Sequence, residues 1–171
     1  MSSLAEWISG CRVSSVLGRD IKSFGRQHLL DQSAETCWNS EQGTPQYILV
    51  EFTRPVCLAR LKIQFQGGFA GKDTVLIDAD RKQDICALHP KDDNTFQEFD
   101  VPAQEQPIGR RRIKILFGSS TDFYGRIIVY RLDILGGTAA TNTDYERPGG
   151  NGSENKDKDG ANDTAPVITI A

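Results

Sequence analysis

The stretch LARLKIQFQ, residues 58–66, decides the fold, because its polar and apolar side chains alternate from Arg60 onward. Leu61, Ile63 and Phe65 fall on one side of an extended chain, and the charged and amide side chains between them fall on the other. A period of two residues is typical of a β-strand with one face in a core and one in solvent. The stretch therefore predicts a half-buried strand.

The same alternation recurs along the rest of the chain, out to about residue 136. Strong strand patterns are YILVEF (47–52), RRRIKILF (110–117) and RIIVYRLDIL (126–135), and weaker ones are RVSSVL (12–17), TVLIDA (74–79), DICAL (84–88) and FQEFDV (96–101). Turn-forming residues separate these segments, and only one helical turn is expected, within residues 23–32. Eight short strands without a long helix predict an all-β fold, an antiparallel β-sandwich or jelly roll.

Composition divides the chain near Gly137. Residues 138–171 are rich in Gly, Asn, Asp and Thr, and their six acidic and three basic side chains account for the whole net charge of −3. Such a segment cannot bury enough apolar area to offset its ordering entropy, so we expect a disordered acidic tail after a domain spanning residues 1–137. The domain itself is electrically neutral, which argues against direct nucleic-acid binding.

The sequence predicts a protein of the nucleus, the cytoplasm or both. No apolar run approaches the roughly 18 residues of a membrane span. The first residues lack the basic and apolar segments of a secretory signal, so we expect that the protein is not secreted. The cysteines have no C-x-x-C spacing and are expected to be reduced thiols: Cys11, Cys37, Cys57 and Cys86.

Catalytic patterns are weak, and we expect no enzymatic activity and no cofactor. The G-x-S-x-G motif of hydrolases is absent. GGFAGKD, residues 67–73, has Asp73 where a phosphate-binding loop needs Ser or Thr. His28 is expected to be a hydrogen-bonded packing residue, and the basic run at 110–112 is expected to be a solvated face.

DQSAETCWNS, residues 31–40, places a tryptophan among turn-forming polar residues. One interpretation is a ligand-binding loop. The other is a structural loop that folds back and buries Trp38 at the end of the sandwich.

A longer stretch around Trp38 resembles the discoidin domain, the coagulation-factor type C module of the galactose-binding-like fold. The stretch is HLLDQSAETCWNSEQGTPQYILVEF (28–52), with Asp31, Thr36, Trp38 and Tyr47 at the matching positions, and VYRLDILG (129–136) resembles the closing strand. CWNSEQG, IQFQGGF, TDFYGR and YRLDILG together resemble, more narrowly, a family of small intracellular single-domain proteins associated with an orphan nuclear receptor. The resemblance covers about residues 12–136.

This resemblance implies that Trp38 is a core residue and that Thr36 and Asn39 hydrogen-bond loop backbone groups. In carbohydrate-binding relatives a calcium ion lies between the first loop and the last strand, near the positions of Asp31 and Thr36. Arg131 replaces the last-strand acid here, so we expect no metal and expect Arg131 to pair with Asp31.

The resemblance also implies a non-enzymatic protein-interaction module, a nuclear-receptor-associated repressor of transcription. Two alternatives remain: a glycan- or phospholipid-binding discoidin module, and a scaffold subunit of a larger intracellular complex. Sandwich domains bind through loops at one end. The loops 18–30, 67–73 and 118–126 place aromatic residues beside glycines, and we expect them to cluster. The candidate partner-binding residues are Phe24, Phe69, Lys72, Phe123, Tyr124 and Arg126.

Overall fold

A computed structural model describes residues 1–139 of the chain, which form nine strands and a few short helical turns. The strands are β1 (Ser2–Ser3), β2 (Ile8–Val13), β3 (Trp38–Asn39), β4 (Gln46–Phe65), β5 (Gly71–Asp78), β6 (Gln83–Leu88), β7 (Phe96–Asp100), β8 (Gly109–Ser120) and β9 (Ile128–Thr138). The single α-helix, α1, is Ile21–Phe24, and 3-10 turns span Ala5–Trp7, Leu17–Arg19 and Arg26–Leu29. No helix in this part of the chain is both long enough and apolar enough to cross a membrane.

Every strand pair is antiparallel, and β4 takes part in both layers. Its first half pairs with β2 and β8, and β8 continues through β5 to β6; we call this layer the first sheet. Its second half pairs with β7 and β9, and β9 also pairs with β1 and β3; this is the second sheet. The predicted all-β antiparallel architecture is confirmed.

The inward-facing positions of β4 change parity along the strand. Ile48 and Val50 are buried in the first half, whereas Leu61 and Ile63 are buried in the second. The register against β9 shifts between Leu58 and Arg60, and one extra residue in a strand is what reverses the side that faces the core. The predicted faces are confirmed, but the two predicted strands at 47–52 and 58–66 are one strand.

Trp38 is part of the hydrophobic core and is fully buried, as expected. Its ring centroid is 6.3 Å from that of Phe117, which makes an edge-to-face contact with Phe65 at 5.8 Å. Such tilted and edge-to-face pairs are the preferred geometry of buried aromatic rings. The loop at residues 31–40 is therefore a structural element of the sandwich.

Two details differ from the sequence-based expectation. The strand predicted at 12–17 occupies Ile8–Val13 instead. Arg110 is only 3% exposed, so the solvated-face interpretation of residues 110–112 is wrong for this residue. A counter-ion makes the burial tolerable: Arg110 Nε lies 3.2 Å from Asp78 Oδ2, and the guanidinium also bonds to Glu105.

The last strand ends at Thr138, one residue beyond the predicted domain boundary at 137. Thr138 pairs with Val56, and the backbone N–H of Ala139 donates to the Pro55 carbonyl at 3.0 Å. The rest of the predicted tail, from residue 140 on, lies outside the described residues.

Candidate functional site

The loop between β8 and β9 projects two aromatic side chains away from the sandwich. Phe123 is 93% exposed and Tyr124 57%. Their rings contact each other edge to face, with centroids 5.3 Å apart. Exposed aromatic side chains of this size are unusual on a monomeric surface and indicate a contact site when they are grouped.

Hydrogen bonds hold this loop in one shape. Asp122 Oδ2 accepts from the backbone N–H and the Nε of Arg126, both at 3.1 Å. Burial raises the pKa of Asp122, but the bonds from Arg126 outweigh it, and the pKa lies below its ordinary value. Asp122 is therefore ionised at neutral pH and restrains both ends of the aromatic pair.

The loop that contains Gly43 packs against this turn. The N–H of Gly43 donates to the Tyr124 carbonyl at 2.8 Å. Gly125 has a φ of +83°, and a Cβ at that position would lie 2.9 Å from the Gly43 backbone. Glycine is thus required at position 125 for both conformation and space.

The loop at 67–73 joins the same surface. The Arg126 guanidinium lies over the Phe69 ring, 4.9 Å from its centroid. Backbone groups of Ala70 exchange hydrogen bonds with Thr121 at 3.0 Å. Lys72 is exposed and lies opposite Ser119 in the β5–β8 ladder. We call Phe69, Lys72, Phe123, Tyr124 and Arg126 the loop-end surface.

Phe24 does not belong to this surface. It is half-buried at the end of α1, and the turn that follows it packs against β2, β3 and β9. Within residues 1–139 no hydrogen bond, ion pair or aromatic contact joins Phe24 to the other two loops. The structure thus brings together five of the six predicted residues.

The loop-end surface borders an open groove of about 400 Å³. Half of its polar side chains have partners within the protein. Ser120 Oγ donates to the Arg126 carbonyl at 2.6 Å, and Thr121 Oγ1 donates to Asp92 at 3.1 Å. The hydroxyl groups of Thr44, Ser119 and Tyr124 make no hydrogen bond among the described residues and are the polar groups that the groove offers a ligand.

Asp31 organises the loop that carries Trp38. Its carboxylate accepts from Thr36 Oγ1 at 2.6 Å and from the Ser33 N–H at 2.9 Å, and His28 Nδ1 lies 3.3 Å away. Burial raises the pKa of Asp31, but these hydrogen bonds lower it by more than burial raises it. The pKa of Asp31 therefore lies below its ordinary value. Thr36 therefore bonds to a side chain, where a bond to the loop backbone is expected.

Asn39 and Arg131 also depart from expectation. Asn39 is buried, and its Oδ1 has no hydrogen-bond partner among the described residues. The expected pairing of Arg131 with Asp31 is wrong. Arg131 Nε donates to Gln64 Oε1 at 2.8 Å, and its guanidinium lies 4.5 Å from the Phe96 ring centroid, because the side chain points away from the core on the second sheet. Between residues 1 and 139 no three His, Cys, Asp or Glu side chains converge as a metal site.

Sequence reasoning missed two residues that shape the loop-end surface, Asp122 and Gly43. The four-residue spacing of Asp122 and Arg126 is a local signal for their ion pair. Gly43 carries no such signal, because its contact with Tyr124 is set by the fold.

No protein-family model matches the sequence. Curated relatives do. A Danio rerio protein named nuclear receptor 2C2-associated protein is 47% identical over 128 residues, which cover 73% of this chain and 89% of that protein. The Homo sapiens protein of the same name is 43% identical over the same shares. The Xenopus tropicalis protein is 41% identical over 139 residues, 80% of this chain and 99% of that protein.

The chain belongs to the nuclear receptor 2C2-associated protein family. Membership agrees with the narrower of the two resemblances in the sequence, since the relatives match at 41–47% identity.

Solved structures identify the fold of this nuclear receptor 2C2-associated protein family member as discoidin-type. A chitosan-binding module from a Paenibacillus chitosanase/glucanase has a TM-score of 0.62 at 17% identity, covering 80% of this chain and all of that one. The family 32 module of Clostridium perfringens NanJ, in complex with galactose, has a TM-score of 0.64 at 12% identity, covering 78% and 97%. A Bacteroides fragilis F5/8 type C domain has a TM-score of 0.63 at 12%, covering 80% and 97%. At these identities the likeness concerns the fold alone.

Proposed function

We propose that this protein is a non-catalytic interaction module that binds an orphan nuclear receptor and represses its transcriptional activity, in the nucleus, the cytoplasm or both. Family membership supports the receptor association, because the relatives carry the receptor in their name. The binding modules among the structural neighbours support a non-catalytic role.

The exposure of Phe123 is the observation that best supports the loop-end surface as the proposed binding site. A side chain that is 93% exposed contributes nothing to the core, yet its loop is restrained by Asp122, Arg126 and Gly43. Preorganised aromatic residues lose little entropy on binding and dominate many protein interfaces. We infer that Phe123 and Tyr124 insert into an apolar pocket of the receptor.

The cations of the loop-end surface indicate which charge the receptor should carry around that pocket. Lys72 is exposed, and Arg126 is partly exposed above Phe69. Asp122 neutralises only one of these two positive charges. The proposed receptor pocket is therefore apolar at its centre and acidic at its edge.

The glycan-binding and scaffold alternatives are less well supported. Sugar recognition needs polar side chains that are free to bond hydroxyl groups, whereas Asp122 and Arg126 are bonded to each other. A scaffold role would use the same exposed aromatic residues, so the loop-end surface does not favour it over receptor binding.

The test is binding of the full chain to the purified ligand-binding domain of nuclear receptor 2C2, measured by biolayer interferometry. Phe123→Ala should weaken binding at least tenfold without changing the melting temperature. Ile21→Ala is the matched control, since Ile21 is an apolar side chain that is 63% exposed on α1, apart from the loop-end surface.

Two outcomes would count against the proposal. If the wild-type chain does not bind the receptor domain, the function is wrong. If a folded Phe123→Ala variant binds as the wild type does, the interface lies elsewhere. A receptor-driven reporter in cells then tests repression, which Phe123→Ala should relieve.

A further inference from the structure

The outward face of the first sheet is apolar across four strands. Tyr47, Leu116, Val75 and Ala87 lie directly opposite one another on β4, β8, β5 and β6 and form one row. The next row places Leu49 and Ile77 on either side of Lys114. We call the six apolar residues of these rows, together with Lys114, the outer-face patch.

These side chains belong to the surface and not to the core. Their sequence neighbours Ile48, Leu76 and Ile115 are fully buried, and side chains alternate between the two faces of a strand. Ala87 is exposed and the other members of the patch are half-buried. Half-exposed apolar residues on four adjacent strands form a continuous patch, which scattered surface residues would not.

The outward face of the second sheet has the opposite character. Lys62 lies between Glu98 and Asp133, and its Nζ is 3.1 Å from the Glu98 carboxylate. Arg60 binds Asp100 at 2.6 Å. An antiparallel sheet with one solvated face normally carries such polar side chains. The apolar face of the first sheet is therefore an exception within this protein.

Lys114 gives the outer-face patch a charge that lacks an acidic partner in the described part of the chain. Its Nζ lies 4.6 Å from the Tyr47 ring centroid, and no ion pair to it is present among residues 1–139. The neighbouring cations differ, since Arg12 pairs with Glu51 at 3.7 Å and Arg112 with Asp80 at 2.7 Å. A complementary partner would place a carboxylate over Lys114.

The dimensions of the outer-face patch fit a single helix. Four strands about 4.8 Å apart span roughly 15–20 Å, and the two rows lie about 7 Å apart. A stable interface between globular proteins buries about 800 Å² on each side, far more than such a patch supplies. A helix about 10 Å wide rises about 1.5 Å per residue, so roughly 12 residues match the length of the rows. An open groove of about 390 Å³ beside Val75 and Ala87 extends the same surface.

We propose that the outer-face patch binds an amphipathic helix of a protein partner, with a carboxylate in the middle of the apolar stripe of that helix. The apolar stripe covers the two rows, and the carboxylate pairs with Lys114. Lys72 of the loop-end surface also lines the groove beside Val75 and Ala87, whereas Phe123 and Lys114 each belong to one surface alone. Substitutions at Phe123 and Lys114 therefore test the two proposals independently.

The probe is a stapled 14-residue amphipathic helix with a leucine stripe and one central glutamate, titrated into the ¹⁵N-labelled full chain. Its partner probe has lysine in place of that glutamate. Amide shifts should map to β4, β8 and β5, and the glutamate peptide should bind at least tenfold more tightly. Lys114→Glu should reverse this preference. Lys22→Glu makes the same charge change at an exposed site on α1, outside the patch, and should leave the preference unchanged.

Each remaining outcome overturns the proposal. Shifts on another surface, equal affinities for the two peptides, or a Lys114→Glu variant that keeps the wild-type preference would refute the helix site. Sedimentation that shows a dimer lost on Leu116→Gln would assign the patch to a second copy of the chain. Shifts in the patch on deleting residues 140–171 would assign it to the chain's own C-terminal segment. Phe123→Ala should not alter peptide binding, and this separates the result from the receptor test.

Discussion

The indole nitrogen of Trp38 donates a hydrogen bond to the backbone oxygen of Ser15 at 2.8 Å, joining the buried loop to the chain that leaves β2. Ser15 extends the connection, because its hydroxyl donates to Gln46 Oε1 at 2.8 Å and accepts from the Glu41 N–H at 3.0 Å. The ring packs in the core, and its one polar atom, Nε1, has the Ser15 oxygen as its hydrogen-bond partner. This pair explains how a tryptophan in a polar segment becomes a core residue.

Replacing Trp38 should separate its packing from its hydrogen bond. Trp38→Ala should lower the free energy of unfolding by about 3–5 kcal/mol, because it leaves a cavity. Trp38→Phe keeps an aromatic ring but removes the donor to Ser15, and should cost about 1–3 kcal/mol. Urea denaturation measures both, with half-buried Trp7→Phe as the control. A Trp38→Phe variant as stable as the wild type would contradict this account.

Asp78 should make stability depend on pH. Burial raises its pKa, but the hydrogen bonds and charge of Arg81 and the charge of Arg110 outweigh burial, so the folded pKa lies below the ordinary value. The stabilisation is therefore complete above the unfolded pKa of about 4 and is lost as pH falls through the folded pKa. Asp78→Asn should cost about 1–3 kcal/mol at neutral pH, because the buried Arg110 keeps its pair with Glu105 but loses the Asp78 carboxylate.

The deficit of Asp78→Asn relative to the wild type should shrink on acidification below about pH 4. Asp80→Asn is the control, since Asp80 pairs with Arg112 at the surface and should contribute only about 0–1 kcal/mol. A deficit that is constant between neutral and acidic pH would show that Asp78 acts through packing alone.

Gly125→Ala should distort the loop-end surface. The substitution places a Cβ within 3.0 Å of the Gly43 backbone at a φ of +83°. We expect a loss of at least about 1 kcal/mol in stability and weaker receptor binding. Gly137→Ala adds the same atom where nothing lies within 4 Å and should be neutral. Thermal denaturation and biolayer interferometry compare the two, and equal behaviour would refute the proposed role of the turn.

Truncation should locate the end of the domain. A chain ending at Ala139 should unfold with the same free energy as the full chain, to within about 0.5 kcal/mol, because residues 140–171 lack the composition of a core. A chain ending at Gly137 loses the Thr138 and Ala139 contacts with Val56 and Pro55 and should be less stable by about 1 kcal/mol. A large loss of stability in the chain that ends at Ala139 would mean that the C-terminal segment docks on the domain.

Calcium should not raise the melting temperature. The Asp31 carboxylate, the nearest candidate ligand, already accepts hydrogen bonds from Thr36 and Ser33. A tightly bound ion would stabilise the fold in proportion to its occupancy. Differential scanning fluorimetry with millimolar calcium or with EDTA tests this. An upward shift that Asp31→Asn abolishes would reveal a site.

The sequence predicts the layers of this fold better than their edges. The alternation in residues 58–66 identifies the inward faces of Leu61, Ile63 and Phe65, because burial of one strand face imposes a period of two. The continuity of β4 was not predicted, since Thr53, Arg54 and Pro55 resemble a turn. The sequence predicts a solvent-exposed Arg110, because a charged side chain without a visible partner is normally at the surface. Its counter-ion Asp78 is distant in sequence and approaches Arg110 only in the fold.

The candidate site was predictable where aromatic residues stand beside glycine. Phe69, Phe123 and Tyr124 do come together, because β5 and β8 are neighbours in the first sheet. Phe24 carries the same local signal, but the turn that follows its helix packs against β2, β3 and β9. The outer-face patch was not predicted, since its members come from four separate strands and become a surface only through their register.

The path of β4 through both sheets has a consequence for how the protein unfolds. Separating β9 or β7 from the second sheet frees one half of a strand whose other half still holds β2 and β8. Neither layer can open as an independent cooperative unit, so amides in both should exchange hydrogen with solvent through the same global opening. The partners of β4 also lie far along the chain, which favours slow, all-or-none folding. A destabilising change at either layer should therefore shorten the lifetime of the whole native state.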